Sequence, residues 1–288
     1  MAELVRQGDA RLREAGVASP EYDARALLAH TLGIRAGQLA VVDPVPAEAC
    51  TTYLALIEQR AERVPLQHLT GIAGFRRLDL AVGPGVFVPR PETEVLVDWG
   101  LDRIRGLPAP LVVDLCAGSG AIALSVADEA PQARVHAVER ERFAVAWAER
   151  NNADGRIEVH EADVDGALPE LSGQVDLVLA NPPYIPDGAS VEPEVAHHDP
   201  AAALWGGPDG LAVVRIVVAT AARLLRPGGW FGVEHADRQG ERVPALLKEM
   251  GSWEQVTDHR DLAGRPRFAA AVRAPDVRGR DAGRNGAR

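Results

Sequence analysis

Asn181-Pro182-Pro183-Tyr184 is the stretch whose side chains are best placed to do chemistry. It follows Val175-Asp176-Leu177-Val178-Leu179-Ala180, an apolar run that reads as a buried parallel strand. Neither proline has an N–H, so the sheet ladder stops there and Asn181 stands at the strand's carboxyl end. In open α/β sheets that end is where ligands bind. The carboxamide oxygen of Asn181 and the carbonyl of Pro182 are neighbouring acceptors, a pair suited to a planar –NH2 group. Tyr184 supplies a flat face for it. Such a site grips an amide or an exocyclic amine and aims its nitrogen.

A second cluster suggests what that nitrogen meets. Asp114-Leu115-Cys116-Ala117-Gly118-Ser119-Gly120 couples a strand end to a helix start. It is not the Gly-x-Gly-x-x-Gly fingerprint, because Ala123 occupies the last glycine position, and it lacks the Gly-Lys-Ser/Thr of a phosphate loop. Asp114 ahead of the glycines repels a pyrophosphate and suits a cation. Glu139 closes the next strand, 19 residues after Gly120, placed to take both ribose hydroxyls. Asp163 follows the third strand, placed for an adenine amine. An adenosine with positive charge and no phosphate describes S-adenosyl-L-methionine.

The elements that must position these residues alternate. Strands are expected at 111–115, 135–138 ending on Glu139, 157–159, 175–180 and 230–233, with a late antiparallel strand at 268–272. Helices are expected at 121–127, 143–150, 209–225 and 243–250, and a turn at Arg226-Pro227-Gly228-Gly229. This is an α/β chain with a doubly wound, mostly parallel sheet. Residues 1–70 read as a small helical domain: Ser19-Pro20 opens one helix, closed by Gly33, and Pro46 opens another bearing Tyr53, Leu54 and Ile57. Residues 71–92 read as a linker containing a hairpin, Leu78 to Val82 against Val86 to Val88 about Gly83-Pro84-Gly85. Thr93 is expected to cap the next helix. The catalytic domain runs over 93–273, and the Arg-rich tail, 274–288, reads as disordered.

Composition excludes several classes. The net charge of -10 opposes a broad, sequence-blind hold on nucleic acid. The two cysteines, Cys50 and Cys116, form neither a zinc spacing nor a disulfide framework, and no metal site is expected. No charged-then-apolar leader or 18-residue apolar run is present, so the expectation is a cytoplasmic protein that does not engage membranes. His197-His198-Asp199 reads as a surface loop, Cys116 as a packed residue, and Trp205 and Trp230 as core or lid.

Taken together, these residues resemble the HemK/PrmC family, the glutamine methyltransferases of peptide-chain release factors. The resemblance covers roughly residues 10–273. It rests on Pro65-Leu66-Gln67-His68-Leu69-Thr70-Gly71, Val88-Pro89-Arg90-Pro91-Glu92-Thr93-Glu94, Asp114 to Leu124, Asn181 to Tyr184, and Gly206-Gly207-Pro208-Asp209-Gly210-Leu211. It implies a seven-stranded Rossmann-like class I methyltransferase domain with a helical domain that docks the release factor. It implies methylation of the side-chain amide of the glutamine in a Gly-Gly-Gln motif, by direct in-line transfer. It places Cys116, Ala117, Gly118, Ser119, Gly120 and Glu139 on the cofactor, and Asn181 on cofactor and substrate. Asn181, Pro182, Pro183 and Tyr184 would hold the glutamine. Arg90 and Glu92 either line the substrate entrance or brace the linker as an ion pair.

The chain departs from the family pattern in places. Glu139 stands where Asp is usual and Cys116 where Gly is common. Val164 follows Asp163 where an aromatic often stacks on adenine, and Glu234-His235-Ala236 replaces a Glu-x-Gly. Asn-Pro-Pro-Tyr also occurs in enzymes that methylate base amines. A ribosomal-protein glutamine or a nucleic-acid base amine therefore stays open as substrate, as does a silent binding module without cofactor. The chain is expected to act as a monomer.

Overall fold

The computed structural model describes residues 1–41 and 44–275. The tail expected to be disordered lies outside the described residues from 276 on. The chain forms two compact units. The first gathers Met1–Ala73, Ala81–Val88 and Ser190–Pro200; the second gathers Gly74–Leu80, Pro89–Ala189 and the chain from Ala201.

The first unit holds helices α1 (Ala2–Glu14), α2 (Pro20–Thr31), α3 (Ala47–Ala61) and α4 (Leu66–Thr70). Pro20 occupies the first turn of α2, where its missing N–H costs nothing. Gly33, in the left-handed region, then lets Ile34 N–H reach back to Ala29 O and close the helix. Leu12, Leu27, Leu28, Tyr53 and Ile57 are fully buried in one core. Each buried Leu contributes roughly 2 kcal/mol, which is what holds helices too short to stand alone. An ion cluster is enclosed in the same unit. Arg60 Nε donates to Asp23 Oδ2 at 2.7 Å, and Arg60 Nη2 to Glu194 Oε1 at 2.9 Å. Arg63 Nη2 reaches Glu194 Oε2 at 2.6 Å. Glu194 belongs to helix α8 (Pro193–His198). His197 and His198 therefore end a short helix rather than lying in the expected loop; successive helical side chains diverge by about 100°, so they do not converge on a ligand.

A two-stranded hairpin, β1 (Ile72–Phe75) and β2 (Leu78–Ala81), follows α4. It corrects the hairpin expected about Gly83-Pro84-Gly85: the chain turns there, but no strand follows. The true turn is at Arg76, whose left-handed backbone (φ 53°) is not what an arginine prefers. Its amide is held by Glu94 Oε1 at 3.0 Å, and its guanidinium by Glu129, Asp98 and the Glu94 carbonyl. Side-chain bonding thus does the work that a glycine signal would advertise.

The second unit is a seven-stranded sheet. Its strands are β3 (Leu111–Leu115), β4 (Arg134–Glu139), β5 (Glu158–Glu161), β6 (Val175–Ala180), β7 (Leu225–Glu234), β8 (Trp253–Arg260) and β9 (Pro266–Arg273). They lie in the order β5-β4-β3-β6-β7-β9-β8, the first five parallel and β9 antiparallel to both its neighbours. Helices α5 (Glu94–Ile104), α6 (Ala121–Glu129), α7 (Arg142–Asn151), α9 (Ala212–Leu224) and α10 (Arg242–Glu249) accompany them. Each face of the sheet carries its own core, one containing Leu96, Val112, Leu124 and Leu177, the other Val113, Val178, Val217 and Phe231. The expected turn at Arg226–Gly229 is a bulge inside β7: Val175 pairs with Leu225, but Leu177 pairs with Trp230. Strand β8 was absent from the sequence expectation.

Candidate active site

The parallel register brings the chemistry to one edge. Glu139 ends β4, Leu115 ends β3 beside Val138, Ala180 ends β6 beside Leu115, and Glu234 ends β7 beyond Val233, which pairs with Ala180. Reading across the sheet, Glu139, the 116–120 loop, Asn181 and Glu234 therefore lie at the carboxyl ends of four adjacent strands. Strand β3 carries the reversal of strand order, so this is the switch-point crevice of a doubly wound sheet.

The loop after β3 is braced from below. Asp114 is enclosed, and its Oδ2 accepts the Ala123 amide at 3.1 Å, tying the strand to the first turn of α6; its Oδ1 has no partner. Burial pushes its pKa well above the usual carboxylate range, against the Ala123 amide and with help from Glu139. Ala117 N–H binds Val138 O, and the Asn151 amide binds Ser119 O. Gly120 sits at φ 83°, and a Cβ there would meet Leu124 Cδ1 at 3.1 Å. Cys116 adopts φ 65° without being glycine. Burial, then the charges of Glu139 and Asp114, push its thiol pKa well up, away from the thiolate that a nucleophile needs.

Glu139 lies against the loop. Its Oε2 accepts Gly118 N–H at 2.9 Å, and its Oε1 accepts the amides of Arg140 and Glu141 at 2.8 Å each. A carboxylate has about four acceptor positions, so room for a hydroxyl donor remains. Asp163 is exposed, its Oδ2 facing Arg140 Nη1 at 3.5 Å and its Oδ1 accepting Asp165 N–H. Val164 turns its side chain into the core beside Leu168 and Val217. No basic side chain stands in residues 114–120, and the acceptors Glu139 and Asp163 flank them. This set of acceptors fits a cationic adenosine and not a phosphate.

The opposite side of the crevice is built from segments far apart in sequence. Asn181 Nδ2 donates to Thr93 Oγ1 at 3.2 Å. That bond orients the carboxamide and leaves its oxygen as the acceptor for a ligand. Thr93 is buried and makes no side-chain cap on α5, contrary to expectation; its hydroxyl favours the charged form of Glu234 instead. Tyr184 Oη donates to Glu234 Oε1 at 3.1 Å. Burial, then the Glu234 charge, raise the Tyr184 pKa far above that of a free phenol. Arg90 contributes its positive charge toward Tyr184, and Glu92 lies on the Glu234 side.

Pro182 and Pro183 are buried, and behind them lies the Gly206–Leu211 loop. A Cβ on Gly206 would meet Gly210 O at 2.6 Å and Pro183 O at 2.8 Å, and one on Gly210 would meet Tyr184 O at 2.4 Å. Gln239 Nε2 also holds Tyr184 O at 3.0 Å. Thr93, Glu234 and Gln239 are the residues that sequence reasoning missed as site residues. Thr93 and Glu234 stood in quoted motifs, but their partners are 88 and 50 residues away.

Elsewhere, among the described residues, His136, Glu158 and His160 bring potential metal-ligand atoms within 4.8 Å of one another. The two rings have centroids 5.3 Å apart and facing nitrogens 3.0 Å apart, so the nitrogens lie between the rings and point at each other. That is an imidazole–imidazole hydrogen bond; two ligands of one ion would aim at a common third point.

Residues 3–71 match the family described as PrmC N-terminal domain, and residues 93–203 that described as methyltransferase small domain. The chain is 49% identical over 274 residues to the release factor glutamine methyltransferase of Streptomyces coelicolor, covering 94% of this chain and 97% of the relative. It is 52% identical to that of Mycolicibacterium smegmatis, covering 92% and 94%. It is also 40% identical to the 4-amino-L-phenylalanine/4-methylamino-L-phenylalanine methyltransferase of Streptomyces pristinaespiralis, covering 89% and 90%. Among solved structures, the catalytic domain of hMettl16 superposes with a TM-score of 0.52 at 16% identity, over 68% of this chain and 75% of that one, a likeness of fold.

Proposed function

The chain belongs to the release factor glutamine methyltransferase family, and on that footing we propose how its site works. The enzyme methylates the side-chain amide nitrogen of a glutamine in a peptide-chain release factor, with S-adenosyl-L-methionine as methyl donor. Our reading places that glutamine in the Gly-Gly-Gln motif. When bound, the cofactor supplies an electrophilic methyl carbon on a sulfonium, which needs no metal to react.

The observation that carries the reading is the orientation of Asn181. With its nitrogen on Thr93, it turns an oxygen toward an incoming N–H at the end of the strand beside the glycine loop. An amide nitrogen is a poor nucleophile because its lone pair is delocalised. The chain's task is then alignment. Asn181 Oδ1 and the Pro182 carbonyl each accept one amide hydrogen, which fixes rotation about the amide bond. They also favour the positive charge that develops on nitrogen. Tyr184 covers the flat face, with Pro183 packed behind it. Cys116, Ala117, Gly118, Ser119 and Gly120 hold the cofactor by their main chain, Glu139 takes the ribose, and Asp163 lies on the adenine side. Asp114 acts by holding the loop on α6, and Val164 by packing beneath it. Arg90 guides the substrate.

Residues 1–70 dock the release factor in this reading, and the chain works as a cytoplasmic monomer without a stable hold on nucleic acid. No helix among the described residues is long and apolar enough to cross a membrane.

The relative named for aminophenylalanines favours one alternative substrate, because an aryl –NH2 is also planar and conjugated. Mass spectrometry of an unmethylated release factor, before and after enzyme and cofactor, decides between them. One added methyl on a single glutamine is expected. Methylation of 4-aminophenylalanine with none on the release factor would overturn the assignment.

A further inference from the structure

Beside Asn181, at the end of the neighbouring strand, lies a carboxyl group to which the proposed function assigns no task. Glu234 is 1% exposed and stands at the end of β7, level with Asn181 at the end of β6. It accepts a hydrogen bond from Tyr184 Oη, and the nearby Thr93 hydroxyl favours its charged form. Its Oε2 is buried with no hydrogen-bond partner. A group so placed is costly to keep, since an unpartnered buried oxygen destabilises the fold.

The proton directions explain what it does. A carboxylate only accepts. The hydroxyls of Tyr184 and Thr93 must therefore both point their protons at Glu234. Thr93 has a single O–H, so the side of Oγ1 facing Asn181 presents a lone pair. A lone pair takes the NH2 end of the Asn181 carboxamide and refuses the oxygen end. The two ends are nearly equal in shape, so sterics alone would leave them interchangeable. The Glu234 charge breaks that tie at two removes.

We propose that Glu234 is a positioning residue of the methyl-transfer site: acting through Thr93, it sets which end of the Asn181 carboxamide faces the substrate nitrogen, and through Tyr184 it anchors the ring that covers it. The proposal rests on the role given above to Asn181. The charged and titratable groups facing Glu234 are Tyr184, Arg267 and Glu92, and Arg267 is engaged by Asp261 at 3.0 Å. Burial pushes the Glu234 carboxyl up to about 7, against Thr93, Arg267 and Tyr184 and with Glu92. Once protonated, it has a proton to donate and no longer dictates the direction of the Thr93 hydroxyl. Turnover that depends on the carboxylate rises with pH through this range.

The test uses the full-length enzyme, S-adenosylmethionine and an unmethylated release factor, with kcat, the cofactor Kd and the pH profile as readouts. Glu234→Gln keeps shape and hydrogen-bonding reach. We expect it to lower kcat about 10-fold, to leave the cofactor Kd within about 2-fold, and to flatten the acid limb of the kcat profile. Thr93→Val is expected to do the same, Thr93→Ser to restore most of kcat, and the double variant Thr93→Val/Glu234→Gln to be no worse than the poorer single. Folding of each variant is checked by its cofactor Kd. Wild-type kcat with an unaltered pH profile in Glu234→Gln overturns the proposal, as do effects that multiply in the double variant. A wild-type enzyme that methylates no release factor would overturn the functional assignment itself, a separate result and visible before any variant is made.

Discussion

Two clusters of buried charge, one in each unit, are arranged in opposite ways. In the helical unit, Arg60 is shared between Asp23 and Glu194, and Arg63 adds a second pair of contacts to Glu194. Burial works against the Glu194 charge, but Arg63, its own backbone amide and Arg60 prevail and hold its pKa at about 2. Asp23 shows the limit of such pairing: burial and the nearby Glu194 raise its pKa although Arg60 opposes them. In the catalytic unit, Asp114 and Glu234 each keep an oxygen with no partner, and burial raises both pKa values. The first arrangement holds elements together. The second holds reacting groups in a chosen direction and leaves a stability cost in place. Asp23 and Glu194 share a cation and brace helices, whereas Asp114 and Glu234 each keep a bare oxygen at the carboxyl edge of the sheet.

The contrast can be broken by removing one partner on the paired side. Arg60→Leu leaves Asp23 and Glu194 in the interior without their shared cation. A loss of about 3–5 kcal/mol is expected in the helical unit, measured by denaturant unfolding. On the unpaired side the largest effect is on rate. Asn181→Ala is expected to lower kcat by about 10²-fold or more, worth roughly 3 kcal/mol, while cofactor binding stays within several-fold. Near-normal turnover in that variant would remove Asn181 from its role.

Smaller effects sharpen the comparison. Glu234→Gln removes a buried charge, so above pH 7 it is expected to raise stability by on the order of 2 kcal/mol while lowering activity. The signs with pH differ between the regions. Glu194 has a depressed pKa, so its stabilisation is present above about 4.5 and is lost as pH falls toward 2. Glu234 has a raised pKa, so its contribution is full below about 4.5 and is lost as pH rises through about 7. Hydrogen exchange read separately on α3 and on β7 should show protection falling with acid in the first and with base in the second. The smallest effect is at Cys116. Glycine relieves its left-handed backbone but gains freedom when unfolded, so Cys116→Gly should stabilise by only about 0.5 kcal/mol in a thermal melt.

The same contrast governs what the amino-acid order reveals. Strands β3 and β6 were legible to the residue, because buried parallel strands read as unbroken apolar runs ended by glycine or proline. The strand-end positions of Glu139 and Asn181 were legible with them, since both follow or close such runs. Strand β8 was not. Its sequence WEQVTDHR is that of a sheet edge, polar along most of its length, and leaves little alternation to read. The hairpin was misplaced because Gly83-Pro84-Gly85 carries a stronger turn signal than Arg76, whose conformation depends on Glu94 and Glu129. Thr93 looked like a cap because position and residue type said so; only the fold brings Asn181 and Glu234 to it. Local chemistry is written locally, while the amide that the Thr93 oxygen accepts comes from 88 positions away.

The Gly206 and Gly210 contacts bear on how substrate range could be redesigned. The wall behind Tyr184 is polypeptide backbone against polypeptide backbone, with carbonyl oxygens closer than any methyl group would tolerate. There is nothing there for an engineer to trim. In the reading proposed above, a pocket for a bulkier amine has to be carved from the side where Arg90 guides the substrate, because the wall behind Tyr184 is already reduced to the bare chain.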